Sequence, residues 1–252
     1  MTTVKDIYDY IDSFAPFDTA ESYDNVGILA GDPNQNVTQV LLALDITRAV
    51  VREAEKMNAQ LIISHHPVIF RPIHSVLKGT AVYDLVQSGI SAICAHTNLD
   101  KSSEFGVNTT LAAAIGLKNC MVSEKGELLF TAETENEMTA REFALSVKKS
   151  VGLDSIAYTD SGKMIKKVGF CSGAGGEEIF TAKADGCDAF VTGELKHHEI
   201  VFANENQISA YILGHFGSEN VVIKPLAEKM SERFREITFR VKSNDTDGVK
   251  FV

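Results

Sequence analysis

The strongest constraint on the fold is a repeated alternation of short apolar runs with amphipathic stretches. VLLALD at 40–45, LIIS at 61–64 and SAICA at 91–95 are such runs. Between the first two lies TRAVVREAEKMN at 47–58, whose apolar residues recur at helical spacing. Short strands that alternate with helices of about 10–15 residues predict βαβ units and mostly parallel sheets. The expected fold class is therefore α/β.

The same alternation resumes after a polar, turn-rich segment at 117–126. This segment predicts a boundary between two α/β halves, residues 1–122 and residues 123–252. Residues 208–240 are a segment that can pack back onto the first half. Further strands are expected at 127–133, 167–171, 188–192, 208–213 and, as a last edge strand, 237–241.

The charge of the chain limits the partners it can bind. Acidic residues outnumber basic ones by 34 to 24, which gives a formal net charge of −10. Such a surface repels nucleic-acid phosphates and anionic lipids, so binding to either is not expected. No apolar run approaches the roughly 20 residues of a membrane span, and the polar N-terminus does not resemble a signal peptide. A cytoplasmic location is expected.

Ligand-type side chains are concentrated just after the expected strands. Six of the seven histidines follow an apolar run. The residues that can bind or act there are His65 and His66, then His96 and Asp100, then Glu194, His197 and His198, and finally His215 and Glu219. In α/β sheets, ligands bind outside the carboxyl ends of the strands. The sequence therefore predicts a site at that edge.

His65 and His66 can serve one site only if the strand ends before them, because neighbouring strand residues point to opposite faces. Pro67 favours such an end, since it removes a ladder donor and restrains the residue before it. The alternative is a pair of loop histidines without a ligand role.

Asp100 and Glu219 also have simpler interpretations. An aspartate after a strand is often a turn residue, although Ser102 or Ser103 can cap the next helix and leave Asp100 for a ligand role. Gly214 and Gly217 argue against a helix through His215. Ser218 is therefore expected to cap a helix that begins at Glu219, where a glutamate is also favoured by the helix dipole.

Taken together, these residues predict a two-metal site better than any other chemistry. Mixed imidazole and carboxylate ligands suit zinc, manganese, iron or nickel, and paired metals promote hydrolysis. The chain has neither a GxxxxGK[ST] loop nor a GxSxG elbow. The glycine-rich turn at 172–176 can either hold a phosphate or permit tight packing.

At these residues the sequence resembles the Nif-three-like proteins (NGG-interacting factor three-like), also known as GTP cyclohydrolase I type 2 homologues. The resemblance runs through nearly the whole chain in family order, and the HHP and GHxxxE elements are specific in combination. The matching segments are YDNVGILAGDP at 23–33, LALDIT at 42–47, IISHHPVIF at 62–70, AHTNLD at 95–100, GVNTTLA at 106–112, VTGELKHHE at 191–199 and GHFGSE at 214–219.

The resemblance implies a site for two divalent metal ions, with Glu219 bridging them. Its ligands would be His65, His66, Asp100, His215 and Glu219. It also implies two intertwined α/β halves with mixed, mostly parallel sheets, the metal site at the strand ends between the halves, and a homohexamer. Some members carry an extra domain between the halves, for which this chain is too short.

The family's catalogue name implies hydrolytic opening of the guanine ring of GTP at C8. On that view His96 and His198 are candidates for proton transfer, and Glu194 shapes the cleft; the alternative for Glu194 and His198 is a solvated first helical turn. Two functions remain open. One is a metal-dependent hydrolase of a nucleotide or another phosphorylated small molecule. The other is a non-catalytic metal-binding regulator or metal chaperone that works through protein partners.

Overall fold

The computed structural model describes residues 1–243 and 247–250 and divides the chain into two compact units. The first comprises residues 1–104 and 223–243, and the second comprises residues 105–222 and 247–250. The chain leaves the first unit after Glu104 and returns to it at Ile223. The two α/β units are therefore intertwined along the sequence, as the resemblance implied.

The first unit is a five-stranded sheet with helices. Its strands are β1 (Gly27–Ala30), β2 (Gln39–Ala43), β3 (Leu61–Ser64), β4 (Ser91–Cys94) and β11 (Thr238–Val241). Its helices are α1 (Val4–Phe14), a short 3-10 helix (Phe17–Thr19), α2 (Arg48–Lys56), α3 (Ala81–Ser88), α4 (Thr97–Lys101) and α10 (Ile223–Arg233). The strand order is β1-β4-β3-β2-β11. All neighbours run parallel except β1, which is antiparallel to β4.

Local sequence explains these elements. Thr3 caps α1 in a reciprocal capping box with Asp6, and Ile7 and Ile11 lie buried on one face of the helix. Every residue of β3 and β4 is buried, as expected for central parallel strands that are covered on both faces. The chain leaves β3 after Ser64, so the strand ends directly before His65, as predicted.

The second unit is a six-stranded mixed sheet with helices. Its strands are β5 (Lys118–Val122), β6 (Phe130–Met138), β7 (Ala157–Tyr158), β8 (Ile165–Cys171), β9 (Ala189–Thr192) and β10 (Ser209–Ile212). Its helices are α5 (Val107–Ala114), α6 (Ala140–Ser150), α7 (Glu178–Ala184), α8 (His197–Glu205), α9 (His215–Glu219) and a 3-10 helix (Asn220–Val222). The order is β5-β6-β8-β9-β10-β7, with β8, β9 and β10 parallel.

Two apolar clusters form the core of this unit. Val191 packs in a cluster with Phe143 and Tyr211, whereas its neighbour Phe190 packs in another with Ile179. Successive residues of a strand point to opposite faces, so the two clusters cover the two faces of the sheet. Packing on both faces holds the strands in place, and it thereby positions the start of the loops that follow them.

The division into units differs from the boundary expected at residues 122 and 123. Residues 105–122 belong to the second unit because β5 pairs with β6 and α5 packs on both strands. Of the segment 208–240, only the part from Ile223 onward belongs to the first unit, where β11 pairs with β2. β10 stays beside β9 in the second unit. Among the described residues no helix is long and apolar enough to cross a membrane.

Candidate metal centre

In the first unit, the turn after β3 carries His65 and His66 and is held by three hydrogen bonds. His66 N–H donates to the carbonyl of Leu44 at 2.9 Å, and the Ser64 hydroxyl donates to the carbonyl of His66 at 2.7 Å. The Cys94 thiol donates to the carbonyl of His65 at 3.0 Å. His65 is 1% exposed, and its Nδ1 lies 2.9 Å from the carbonyl of Ala95 at the end of the neighbouring strand. Its orientation is therefore set by the sheet itself.

In this unit the imidazoles of His65, His66 and His96 are each held through Nδ1 by an oxygen acceptor. His65 Nδ1 lies 2.9 Å from the carbonyl of Ala95, and His66 Nδ1 lies 2.9 Å from Oδ1 of Asp45. His96 Nδ1 lies 2.8 Å from Oδ1 of Asp24. Carbonyls and carboxylates only accept, so Nδ1 carries the proton. In the neutral ring, Nε2 then carries the lone pair that a metal would accept.

The rings of His65, His66 and His96 lie close together and are called the histidine group below. The centroid of His65 is 5.0 Å from that of His66 and 5.1 Å from that of His96. Each ring offers one ligand atom, and these atoms all lie within 4.8 Å of one another. A group of nitrogen donors of this kind can hold a metal ion. His96, which sequence reasoning assigned to proton transfer, thus lies beside two predicted ligands.

Asp100 lies in α4, directly after this edge of the sheet, and its Oδ1 is 3.7 Å from Nε2 of His65. The expectation that Ser102 or Ser103 caps the following helix is wrong. Ser102 instead donates to the carbonyl of Phe14, and α5 begins after Gly106. Asp100 nevertheless reaches the histidine group, because α4 starts immediately at Thr97.

Asp24 is a residue of this group that sequence reasoning missed. Its side chain is fully buried and accepts hydrogen bonds from the Thr97 hydroxyl at 2.5 Å, the Thr97 N–H at 3.1 Å and His96. Burial alone would raise the pKa of the Asp24 carboxyl, but the hydrogen bonds from His96 and Thr97 outweigh it and hold the pKa well below its usual range. Asp24 is therefore a fixed negative charge behind His96.

In the second unit, His215 and Glu219 both lie in α9, with Nε2 of His215 3.2 Å from Oε2 of Glu219. The expectation that Ser218 caps a helix beginning at Glu219 is wrong. The helix begins at His215, because Gly214 adopts a φ of 79° and turns the chain into it. His215 and Glu219 are then one turn apart on one helix face.

Glu194 holds His215 as Asp45 holds His66. Oε1 of Glu194, in the turn after β9, lies 2.8 Å from Nδ1 of His215. The Glu194 side chain is 58% exposed and that of His215 is 36% exposed. The carboxylate fixes the ring and directs Nε2 toward Glu219. This role differs from the solvated helical turn that was the alternative interpretation.

The glycine-rich turn after β8 packs against this pair. A Cβ on Gly173, whose φ is 59°, would overlap Oε1 of Glu219. The Gly173 N–H donates to the Ser218 hydroxyl at 2.9 Å, and that hydroxyl donates to the carbonyl of His215 at 2.9 Å. These contacts favour tight packing over phosphate binding, the two possibilities that the sequence left open.

His198 lies in a different helix from His215 and Glu219. It is exposed at the start of α8, and its Nε2 lies 3.8 Å from Oε1 of Glu199. Neither His197 nor His198 belongs to a set of converging ligand atoms in the part of the chain that the structure describes. The role of His198 in proton transfer stays a prediction.

These geometries agree with comparisons to known proteins. A model of the Duf34/NIF3 family (NGG1p interacting factor 3) matches residues 2–247. The chain therefore belongs to the NIF3 family, which confirms the resemblance seen in its motifs.

Relatives support the assignment over most or all of the chain. A "GTP cyclohydrolase 1 type 2 homolog" of Clostridium perfringens is 33% identical over 261 residues, covering 99% of each chain. A "GTP cyclohydrolase 1 type 2" of Helicobacter pylori is 32% identical over 223 residues, covering 87% of this chain and 88% of that one. The crystal structure of Staphylococcus aureus protein SA1388 is similar with a TM-score of 0.93 and 28% identity, covering 100% of this chain and 99% of that chain.

Proposed function

We propose that the chain binds two divalent metal ions and uses them to hydrolyse GTP, another nucleotide or a related phosphorylated small molecule. The ligands would be His65, His66, Asp100, His215 and Glu219. The observation that carries the proposal is the common arrangement of the histidines, each held at Nδ1 by a carbonyl or carboxylate. Such partners orient a ring and raise its basicity as a metal ligand.

The donors limit which ions fit. Imidazole nitrogens and carboxylate oxygens suit zinc, manganese, iron or nickel. When bound, such ions supply Lewis acidity toward a carbonyl, imine or phosphoryl group and lower the pKa of water. The protein's own part is to present imidazoles and carboxylates in fixed orientations.

The reaction implied by the relatives' names is a ring opening that consumes one water. The water oxygen ends on C8 as a formyl group, the C8–N9 bond breaks, and the protons end on N7 and N9. A group that takes and returns a proton is required, and we assign this role to His96. Its Nδ1 is held by Asp24, which fixes the orientation of the ring and leaves Nε2 to exchange the proton.

The other two candidates have different parts. Glu194 acts through His215 and is a positioning residue. His198 is the second candidate for proton transfer, and His198→Ala is expected to lower turnover without lowering metal content. Equal turnover in wild type and His198→Ala would show that His198 takes no part in the reaction.

Metal analysis combined with activity tests the proposal. Purified protein should contain two divalent ions per chain and turn over at least one compound in a panel of nucleotides and phosphoesters. Asp100→Ala should abolish turnover, whereas the matched change at the exposed Asp154 should not. Two bound ions without turnover across a broad panel would count against the hydrolase.

The second candidate function, a metal-binding regulator or metal chaperone, is favoured by the exposure of one ligand. The His215 side chain is 36% exposed and its partner Glu194 is 58% exposed, so a partner protein can reach this ligand. Metal transfer to an acceptor protein faster than spontaneous release would support this function. The homohexamer and the cytoplasmic location also stay predictions, which solution mass and cell fractionation would test.

A further inference from the structure

Two aromatic rings in the first unit lie exposed beside the histidine group. Tyr23 is 62% exposed and Phe70 is 41% exposed. Their centroids are 6.5 Å apart at an interplanar angle of 67°, an edge-to-face contact. The ring of Phe70 also meets that of His96 at 6.3 Å and 81°. The aromatic pair is therefore continuous with the imidazoles of His65 and His66 through His96.

The backbone that carries these rings is fixed. Asp24, next to Tyr23, is bound by Thr97 and His96. The Asn25 side-chain amide donates to the carbonyl of Ile69, next to Phe70, at 2.5 Å. Each ring is thus held within one residue of a hydrogen-bonded anchor. Exposed aromatic surface held in place, rather than folded into the core, marks a binding surface.

We propose that Tyr23 and Phe70 form a stacking subsite for a planar heteroaromatic ring, such as a nucleobase. The subsite rests on the proposed function, because the ring would belong to the molecule that reacts at the histidine group. A base stacked on Phe70 lies within reach of His96, the residue assigned to proton transfer. Small-molecule sites combine an aromatic wall with a few directed polar groups in this way.

The composition of the surroundings favours a base over a phosphate. The carboxylates Asp24, Asp45 and Asp100 surround the histidines, so without metal ions the site repels anions. Stacking on aromatic rings needs no counter-charge and accepts any base. The ring, rather than the phosphate, would then supply the metal-independent part of the binding.

Calorimetric titration tests this with three probes: GTP, guanosine and inorganic triphosphate. Phe70→Leu should weaken GTP and guanosine binding by roughly tenfold, while triphosphate binding to the metal-loaded protein should not change. Phe70→Trp should retain the affinity. Phe180→Leu is the matched control, since Phe180 is 40% exposed in the second unit, and it should leave all three affinities unchanged.

Other outcomes would overturn the subsite. These are equal affinities in Phe70→Leu and Phe180→Leu, an equal loss for triphosphate, or no binding of guanosine to wild type. Leu77 is 63% exposed on the same loop and lies outside the ring contacts. If Phe70→Leu and Leu77→Ser both change only the solution mass, the loop binds a protein surface and the proposal fails. Base binding without turnover counts against hydrolysis alone, whereas turnover that is indifferent to Phe70→Leu counts against stacking alone.

Discussion

Both units orient a histidine through a carboxylate that is hydrogen-bonded to its Nδ1, but the surroundings of the two histidines differ. In the first, Asp45 follows β2 and binds His66, which follows the neighbouring parallel strand β3. In the second, Glu194 follows β9 and binds His215, which follows the neighbouring parallel strand β10. A carboxylate at one strand end and an imidazole at the next are enough to direct Nε2.

The difference lies in what supports each histidine. The first unit supplies three imidazoles, one of them buried and held by the backbone carbonyl of Ala95. The second supplies one half-exposed imidazole and a carboxylate, held by the turn at Gly173 and the hydroxyl of Ser218. We therefore expect the histidines of the first unit to bind metal more tightly than His215 and Glu219 do. Metal binding by His215 and Glu219 should depend more on the residues that support them.

The largest expected effect comes from the turn that supports the second group. Gly173→Ala should lower the free energy of unfolding by about 3 kcal/mol or more and reduce metal content, because its Cβ would displace Glu219. Gly162→Ala is the matched control. Its φ is 73° with nothing within 4 Å of the new Cβ, so it carries only the backbone strain of about 1 kcal/mol. Calorimetry and metal analysis that cannot distinguish the two variants would contradict this packing.

Metal removal should distinguish the two groups next. At a metal concentration of 100 times Kd, binding stabilises a protein by about 2.7 kcal/mol, and chelation should remove that amount. His65→Ala should abolish most of the metal-dependent shift in melting temperature, whereas His215→Ala should retain part of it. His74→Ala, an exposed histidine, serves as the control. Equal losses at His65 and His215 would show that the two groups do not differ in strength.

The supporting carboxylates should have similar, smaller effects. Asp45→Ala and Glu194→Ala remove acceptors of nearly equal exposure, 54% and 58%. Each is expected to weaken metal binding at least tenfold, measured by competition with a chelator. Glu205→Ala, an exposed change in α8, should leave it unchanged. An effect at only one of the two positions would show that Asp45 and Glu194 do not have the same role.

The smallest expected effects test whether metal binding follows local geometry or general stability. Thr3 and Thr139 are the N-caps of α1 and α6. Thr3→Ala and Thr139→Ala should each cost about 1 kcal/mol of unfolding free energy. Both variants should keep the metal content of wild type. A loss of metal in either would mean that the ligand groups respond to any weakening of their unit.

The same caps predict a pH dependence. Hydrogen bonds from the Thr139 N–H and hydroxyl lower the pKa of the Glu142 carboxyl, and those from Thr3 lower that of Asp6. A pKa lowered by folding contributes stability that is present above the unfolded pKa and lost as the pH falls through the folded value. The difference in melting temperature between wild type and each cap variant should therefore shrink below about pH 4.

The sequence predicted the placement of the histidines because it depends on local pattern. Strand ends at 64 and 94 position His65, His66 and His96 directly. Asp45 follows the same rule, since it comes just after β2, and its position in the sequence is a sufficient signal for it. Glu194 was found by position, although its hydrogen bond to His215 required the register of β9 and β10.

Asp24 could not be found in this way. It precedes β1, and residues before a strand were not expected near a site at strand carboxyl ends. β1 is antiparallel to β4, which brings the residues before β1 to the edge where β4 ends. The antiparallel pairing of one short strand is set by tertiary packing, and the local sequence GILA does not specify it. The helix that begins at His215 was not expected, because glycines usually weaken a helix, whereas the positive φ of Gly214 lets this one start directly after it.

The return of the chain to the first unit has a consequence for synthesis. The edge of β2 is covered by β11, whose residues lie more than 190 positions later in the sequence. While the ribosome is still translating the second unit, that edge of the nascent sheet is bare, and α10 has not been made. The N-terminal sheet is completed only after residue 241 emerges, so the first unit to be translated is the last to be finished.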